Sequence, residues 1–251
     1  MTEHITSRKN PLITHIRKLE SSRSYRRSQG EFLGDGTKLL AEAVKWRAPL
    51  TAVISADGAE FPPLPGDVRH VTVPEDVMES ISPARTPQGA LFLCRMGPLK
   101  LPVLTGRRYL VLDGVQDPGN LGTIWRTADA FGADGLILVN GCADPYNAKT
   151  VRATMGAVFR LPVWETEPTE LADALERADL PLCATALRSD TVDLRQAGLD
   201  RCAVVIGSEG HGVSDTLLEH SALTLRIPME GRCESLNAAI AAGVVLWEMY
   251  R

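Results

Sequence analysis

Apolar residues return along this chain with two different periods, and the change between them divides it. Between residues 8 and 28, Leu12, Ile16 and Leu19 recur at spacings of four and three within a basic background, which predicts a helix with one buried side. Leu39, Leu40, Ala43 and Val44 predict a second helix over 36–48. Short apolar runs at 51–55, 68–73 and 89–96 predict strands, and FPPLPG at 61–66 predicts a break. Residues 97–107, GPLKLPVLTGR, carry two prolines and two glycines without a period, so they read as a linker.

Beyond the linker the pattern becomes regular. RYLVLDGV (108–115), GLILVN (135–140), LCATAL (182–187), CAVVIG (202–207) and LTLRIPM (223–229) predict buried strands. Helical periods at 120–133, about 147–157, 169–178, 214–221 and 235–250 fall between and after them. Strands alternating with helices predict an α/β fold with a parallel sheet covered on both faces. The expected organisation is a smaller domain at 1–97, a linker at 98–107 and a larger domain at 108–251.

Composition is that of a globular chain, with 44% apolar and 23% charged residues. No apolar run reaches the length of a membrane span, and the polar start MTEHITSRKN lacks the core of a secretory signal. Cys94, Cys142, Cys183, Cys202 and Cys233 stand singly, without CxxC spacing, so reduced thiols in a cytoplasmic protein are expected and neither a zinc site nor another metal. The net charge of −4 hides an asymmetry: residues 1–50 hold ten Lys and Arg against five acids. That distribution suits a basic, RNA-facing arm on an acidic body, or equally a solvated helix face.

In open α/β sheets ligands bind beyond the carboxyl ends of the strands, which directs attention to three strand-to-helix junctions. The first, Asp113 to Gly122, makes an Asp-Pro-Gly turn, puts Asn120 where a helix cap is expected, and places Arg126 six residues on. The second, Gly207-Ser208-Glu209-Gly210-His211-Gly212, follows a buried strand. Its glycines let a ligand approach the backbone, and Glu209 puts a carboxylate in the loop. His211 could act as a base, although a histidine on an exposed loop is more often incidental. The glycine order is not that of a dinucleotide fingerprint, which argues against a nicotinamide-dependent enzyme. The third runs from Leu225 through Pro228 and Met229 to Glu234, Ser235, Leu236 and Asn237, with Ser235 the expected cap of the last helix.

In this order and at these separations the three segments resemble the SpoU (TrmH-like) family of the SPOUT methyltransferases, over residues 108–251. Asn120 and Arg126 match the family's first motif, Gly207, Glu209 and Gly210 its second, and Pro228, Ser235, Leu236 and Asn237 its third. Residues 1–95 resemble, more loosely, the family's small RNA-binding domain, which is similar to certain ribosomal proteins. There Phe32-Leu33-Gly34-Asp35-Gly36 carries Asp where the family commonly has Glu.

The resemblance implies a trefoil-knotted domain, a homodimer with its active site completed across the interface, and transfer of a methyl group from S-adenosylmethionine to a ribose 2′-hydroxyl of RNA. It implies ribosomal RNA first and tRNA second; a nonenzymatic RNA-binding protein on the same scaffold is the alternative. It assigns the cofactor to Thr185, Ala186, Gly207, Gly210, Ile227 and Leu236. The chemistry falls to Arg126, Asn120, Glu209, Ser235 and Asn237, with Arg126 as phosphate clamp or activator of the hydroxyl.

Overall fold

The computed structural model of the chain describes residues 2–84, 86–186, 188, 191–231 and 235–251. In chain order the elements are β1 (Glu3–His4), α1 (Pro11–Ser21), α2 (Arg23–Gln29), β2 (Glu31–Asp35), α3 (Thr37–Lys45), β3 (Leu50–Ala56), β4 (Arg69–Val73), α4 (Glu75–Glu79) and β5 (Ala90–Arg95). They continue with β6 (Arg108–Asp113), α5 (Pro118–Ala130), β7 (Gly135–Val139), α6 (Ala148–Ala153), β8 (Val163–Glu165), α7 (Pro168–Arg177) and β9 (Leu182–Thr185). The last are β10 (Val192–Asp193), β11 (Cys202–Gly207), α8 (Asp215–Glu219), β12 (Leu223–Arg226) and α9 (Ala238–Tyr250). Leu187 of the third predicted strand, Cys233, and Glu234 of the third junction lie outside the described residues.

The chain forms two units, Met1–Gly97 with Asp144–Arg160, and Pro98–Ala143 with Leu161–Arg251. Among the described residues the first holds a sheet in the order β1-β4-β3-β5-β2, parallel at β1/β4 and β3/β4 and antiparallel where β5 meets β3 and β2. The apolar positions predicted in the first helix, Leu12, Ile16 and Leu19, are buried on this sheet with Ile13. That helix is not continuous to residue 28. Ser22 ends α1 in an extended conformation and caps α2 by accepting from Tyr25 N.

Several arginines of the basic segment make intramolecular bonds rather than a free arm. Arg26 is buried and donates to Asp144 Oδ2 at 2.5 and 3.0 Å and to the carbonyl of Glu20 at 2.9 Å. Arg8 pairs with Asp76, and Arg17 reaches Ser80. The Arg26–Asp144 pair, with Tyr146 beside Phe32, brings residues 144–160 into the first unit, although by sequence they fall within the predicted 108–251.

The second unit is built on a sheet whose described strands run β10-β12-β9-β11-β6-β7-β8, and every pairing in it is parallel. Its core joins Val111, Ile137, Val205 and Ala184 from the strands to Leu171 and Leu175 of α7 and Leu217 of α8. β8, a three-residue edge strand, is not visible in the hydrophobic pattern. Cys94, Cys142, Cys183 and Cys202 are buried free thiols. Among the described residues no helix is long and apolar enough to cross a membrane, and no cluster of three or more His, Cys, Asp or Glu side chains is arranged to hold a metal.

Candidate active site

The carboxyl ends of β9, β11 and β12 open into one cavity of about 330 Å³. Thr185 ends β9 and Ala186 follows it, Gly207 ends β11 and Ser208 and Glu209 follow it, and Ile227 and Met229 lie beyond β12. Ser235, Leu236 and Ala238 close it at the start of α9. Of the cofactor residues implied by the resemblance, Thr185, Ala186, Gly207, Ile227 and Leu236 line this cavity, as do Glu209 and Ser235. Thr185 is fixed from below, its hydroxyl donating to the carbonyl of Val205 at 2.8 Å.

The glycine loop has a different internal logic from the one its sequence predicts. Ser208 and Gly212 pair back on each other, with Gly212 N donating to Ser208 O at 2.9 Å and Ser208 N to Gly212 O at 3.2 Å. Gly212 takes the left-handed conformation (φ +69°) that the reversal requires. A Cβ on Gly207 would lie 2.1 Å from the carbonyl carbon of Gly212. The space that Gly207 leaves is therefore filled by the chain's own backbone rather than held open for a ligand. Gly210 is exposed, has nothing near a would-be Cβ and does not line the cavity, and His211 lies outside the lining too.

A chain of amides and one carboxylate joins the three junctions. Asn237 Nδ2 donates to Asn120 Oδ1 at 3.2 Å, and Asn120 Nδ2 donates to Glu209 Oε1 at 2.5 Å. Both predicted caps shift. Asp117 caps α5, accepting from Asn120 N at 2.7 Å, so Asn120 stands in the first turn with its side chain free to bridge. Asn237, not Ser235, caps α9, accepting from Ala239 N and Ile240 N. In each case two cap-forming residues lie within three positions of each other, Asp117 with Asn120 and Ser235 with Asn237.

Arg126 is exposed on α5 and is not among the residues lining the cavity. Six residues separate it from Asn120, about 9 Å along the helix and about 120° around it. Asp113 has a role that its place in the motif did not reveal. Buried at the end of β6, it accepts Ser214 N at 2.7 Å and Asn140 Nδ2 at 2.6 Å, tying the exit of the glycine loop to the end of β7. Its position before a glycine at a strand end was the available signal.

The last helix is apolar on both sides. Ala238, Ala239, Ala242, Val245, Leu246 and Met249 are buried, while Ile240, Val244, Trp247 and Tyr250 are 58%, 38%, 54% and 58% exposed. Phe131 at the end of α5 packs its ring against both Trp247 and Tyr250.

Residues 107–247 match the SpoU rRNA Methylase family, and residues 10–91 match the MRM3-like substrate binding domain. The chain is 34% identical over 248 residues to the 23S rRNA (guanosine(2553)-2′-O)-methyltransferase RlmP of Bacillus subtilis, covering 98% of this chain and 99% of that protein. Among solved structures, the AdoMet-bound rRNA methyltransferase from Sinorhizobium meliloti superposes with a TM-score of 0.86 at 32% identity, over 99% of this chain and 97% of that one. The methyltransferase AviRb from Streptomyces viridochromogenes in complex with AdoMet superposes with a TM-score of 0.87 at 27% identity, over 96% and 97%.

Proposed function

The chain belongs to the SpoU rRNA methylase family, and we propose that it moves the methyl group of S-adenosylmethionine to a ribose 2′-hydroxyl of ribosomal RNA. The observation that carries this reading is the convergence of a cavity at three parallel strand ends with the Asn237–Asn120–Glu209 chain at its rim. The cavity suits the cofactor. Its volume lies within the range of small-molecule sites, roughly 300–1,000 Å³. Ile206, Leu225, Ile227 and Leu236 offer apolar walls to a purine, and Glu209 offers a carboxylate to a cation.

When bound, S-adenosylmethionine supplies an electrophilic methyl carbon on a sulfonium. The protein is left with two tasks, to hold the ribose hydroxyl in line and to accommodate its proton. Positioning is worth up to about 7–11 kcal/mol, and proton removal by a placed base about 10²–10⁴-fold. Asn120 occupies one oxygen of Glu209, and the other acceptor sites of that carboxylate remain for the hydroxyl or the sulfonium charge. Asn237 holds Asn120 while capping α9, so the same residue fixes the cavity wall and the bridge.

Arg126 is assigned to the RNA rather than to the cofactor. A guanidinium grips a phosphate through two parallel hydrogen bonds, and its high pKa makes it a poor base. Because Arg126 lies outside this chain's own cavity, we assign its action to the cavity of a second copy, across a homodimer interface. The exposed apolar stripe of α9 supports that dimer, since a helix so apolar on its outer side requires cover. The trefoil knot and a cytoplasmic location belong to the same proposal. The knot is supported by the likeness to solved SpoU structures, the location by the buried free thiols.

The test is transfer from methyl-tritiated S-adenosylmethionine by the purified protein, with ribosomal RNA and tRNA offered separately and the products digested to nucleosides. Label in 2′-O-methylnucleosides of ribosomal RNA is the expected result. Label confined to tRNA would change the substrate, and label on bases, or none, would overturn the reading.

A further inference from the structure

In the first unit α3 turns Lys38, Glu42 and Lys45 toward one side, at spacings of four and three, and Trp46 caps its C-terminal end. Trp46 is 48% exposed, which leaves part of its indole open to solvent. The Arg160 guanidinium carbon lies 5.4 Å from its ring centroid and Lys45 Nζ lies 5.8 Å away. Arg160 is held in place by Glu42, to which it donates at 2.7 Å. Gly156 (φ +93°) brings the turn at 154–160 so close to α3 that a Cβ there would lie 3.0 Å from Glu42 Cβ.

The same helix opens at its other end into a cavity of about 520 Å³, lined by Asp35, Thr37, Lys38, Gln88, Arg152 and Met155. Asp35 is buried under Arg152, which pairs with it, and its Oδ1 has no hydrogen-bond partner. Met155 is half exposed in the left-handed region (φ +49°). The face thus carries Lys38, Lys45, Arg152 and Arg160, and its two carboxylates, Asp35 and Glu42, are both bound to arginines. On a chain of net charge −4 this is a local surplus of positive charge around an exposed aromatic ring.

We propose that α3 and the turn at 152–160 form a contact surface for single-stranded RNA, with a base stacked on Trp46 and phosphates against Lys38, Lys45 and Arg152. Aromatic platforms beside cations are the chemistry that takes unpaired nucleotides. A protein partner fits less well, because lysines are depleted from the cores of protein interfaces. The inference rests on the RNA-methyltransferase reading. It adds a surface remote in sequence from the three junctions, made partly by residues 152–160 inside the stretch that matches the methylase family.

The experiment is binding of a fluorescent single-stranded RNA oligonucleotide to the full-length protein across a salt series. Trp46→Ala should weaken binding about tenfold, equivalent to about 1.4 kcal/mol, whereas Trp46→Phe should stay near wild type. Lys38→Gln should reduce the slope of log K against log salt by about 0.7, the share of one phosphate contact on a single strand. Lys9→Gln, the same charge change before α1, should leave the slope unaltered. S-adenosylmethionine affinity should be unchanged in all four, and should Trp46→Ala fail to fold, the Lys38→Gln slope decides. Wild-type affinity in Trp46→Ala, or an equal effect of Lys9→Gln, overturns the surface while leaving the enzyme reading intact. A wild-type protein that neither methylates nor binds RNA overturns the enzyme reading, and the surface with it.

Discussion

Gly207→Ala adds one methyl group where the chain has left no room. The new Cβ would lie 2.1 Å from Gly212 C, 2.3 Å from Gly212 O and 2.4 Å from Val213 N. Carbon contacts settle near 3.5–4.0 Å, so about 1.5 Å must be found. β11 cannot supply it, because it is paired with β6 on one side and β9 on the other. The loop can, by giving up the two backbone bonds between Ser208 and Gly212. Two such bonds are worth about 1–3 kcal/mol net, the same range as overpacking elsewhere, and less than the usual 5–15 kcal/mol of a folded domain. The variant should therefore stay folded, with a lower urea midpoint. Its cavity wall, which includes Ser208, Glu209 and Gly212, should be displaced. Calorimetric titration should show S-adenosylmethionine affinity reduced at least tenfold, a loss of about 1.4 kcal/mol or more. Gly210→Ala, two residues beyond Glu209's neighbour Ser208 and crowded by nothing, should change neither quantity. A Gly207→Ala protein with wild-type affinity and midpoint would refute the argument, as would an equal loss in Gly210→Ala.

Other outcomes follow from the same geometry. Arg126→Ala should keep cofactor affinity and lower the single-turnover transfer rate by at least about two orders of magnitude; Arg126→Lys should remain severely impaired, because the charge is kept and the planar fork is lost. Ile240→Glu, on the exposed stripe of α9, should give a monomer by sedimentation at micromolar concentration and abolish transfer, and an unchanged dimer would contradict the interface assigned to that stripe. Asn237→Ala removes both the cap of α9 and the bridge to Asn120, so it should cost about 0.5–2 kcal/mol in unfolding measurements and reduce transfer further than that loss explains. Burial pushes the Cys94 thiol up to about 12 and the Cys142 thiol up to about 11. Mass spectrometry after iodoacetamide at pH 8 should therefore find both unmodified in the folded protein and alkylated in urea.

Local periodicity made much of the fold legible. The helices α1, α3 and α7 announce themselves by apolar spacing, and β6, β7 and β11 by uninterrupted apolar runs. What stayed hidden was decided at long range. β2 contains Gly34 and runs between two acids, from Glu31 to Asp35, so its pattern is weak; the ring of Phe92 from β5 occupies the place of a Gly34 side chain and explains the residue. Residues 144–160 join the first unit through Arg26 and Asp144, 118 positions apart, which no local period can announce. The site divides in the same way. Glycines and cap residues marked each junction separately, and the family resemblance grouped them. The bond from Asn120 to Glu209, across 89 positions, belongs to the folded chain alone. Asp113 went without a role for the same reason, since both of its partners come from other loops.

Methyl transfer to a ribose hydroxyl of ribosomal RNA is tested most directly by mapping 2′-O-methyl groups in ribosomal RNA from cells with and without this gene. Loss of methylation at a defined ribose, restored by the wild-type protein and not by Arg126→Ala, is the predicted result. Identical maps in the two strains would contradict it.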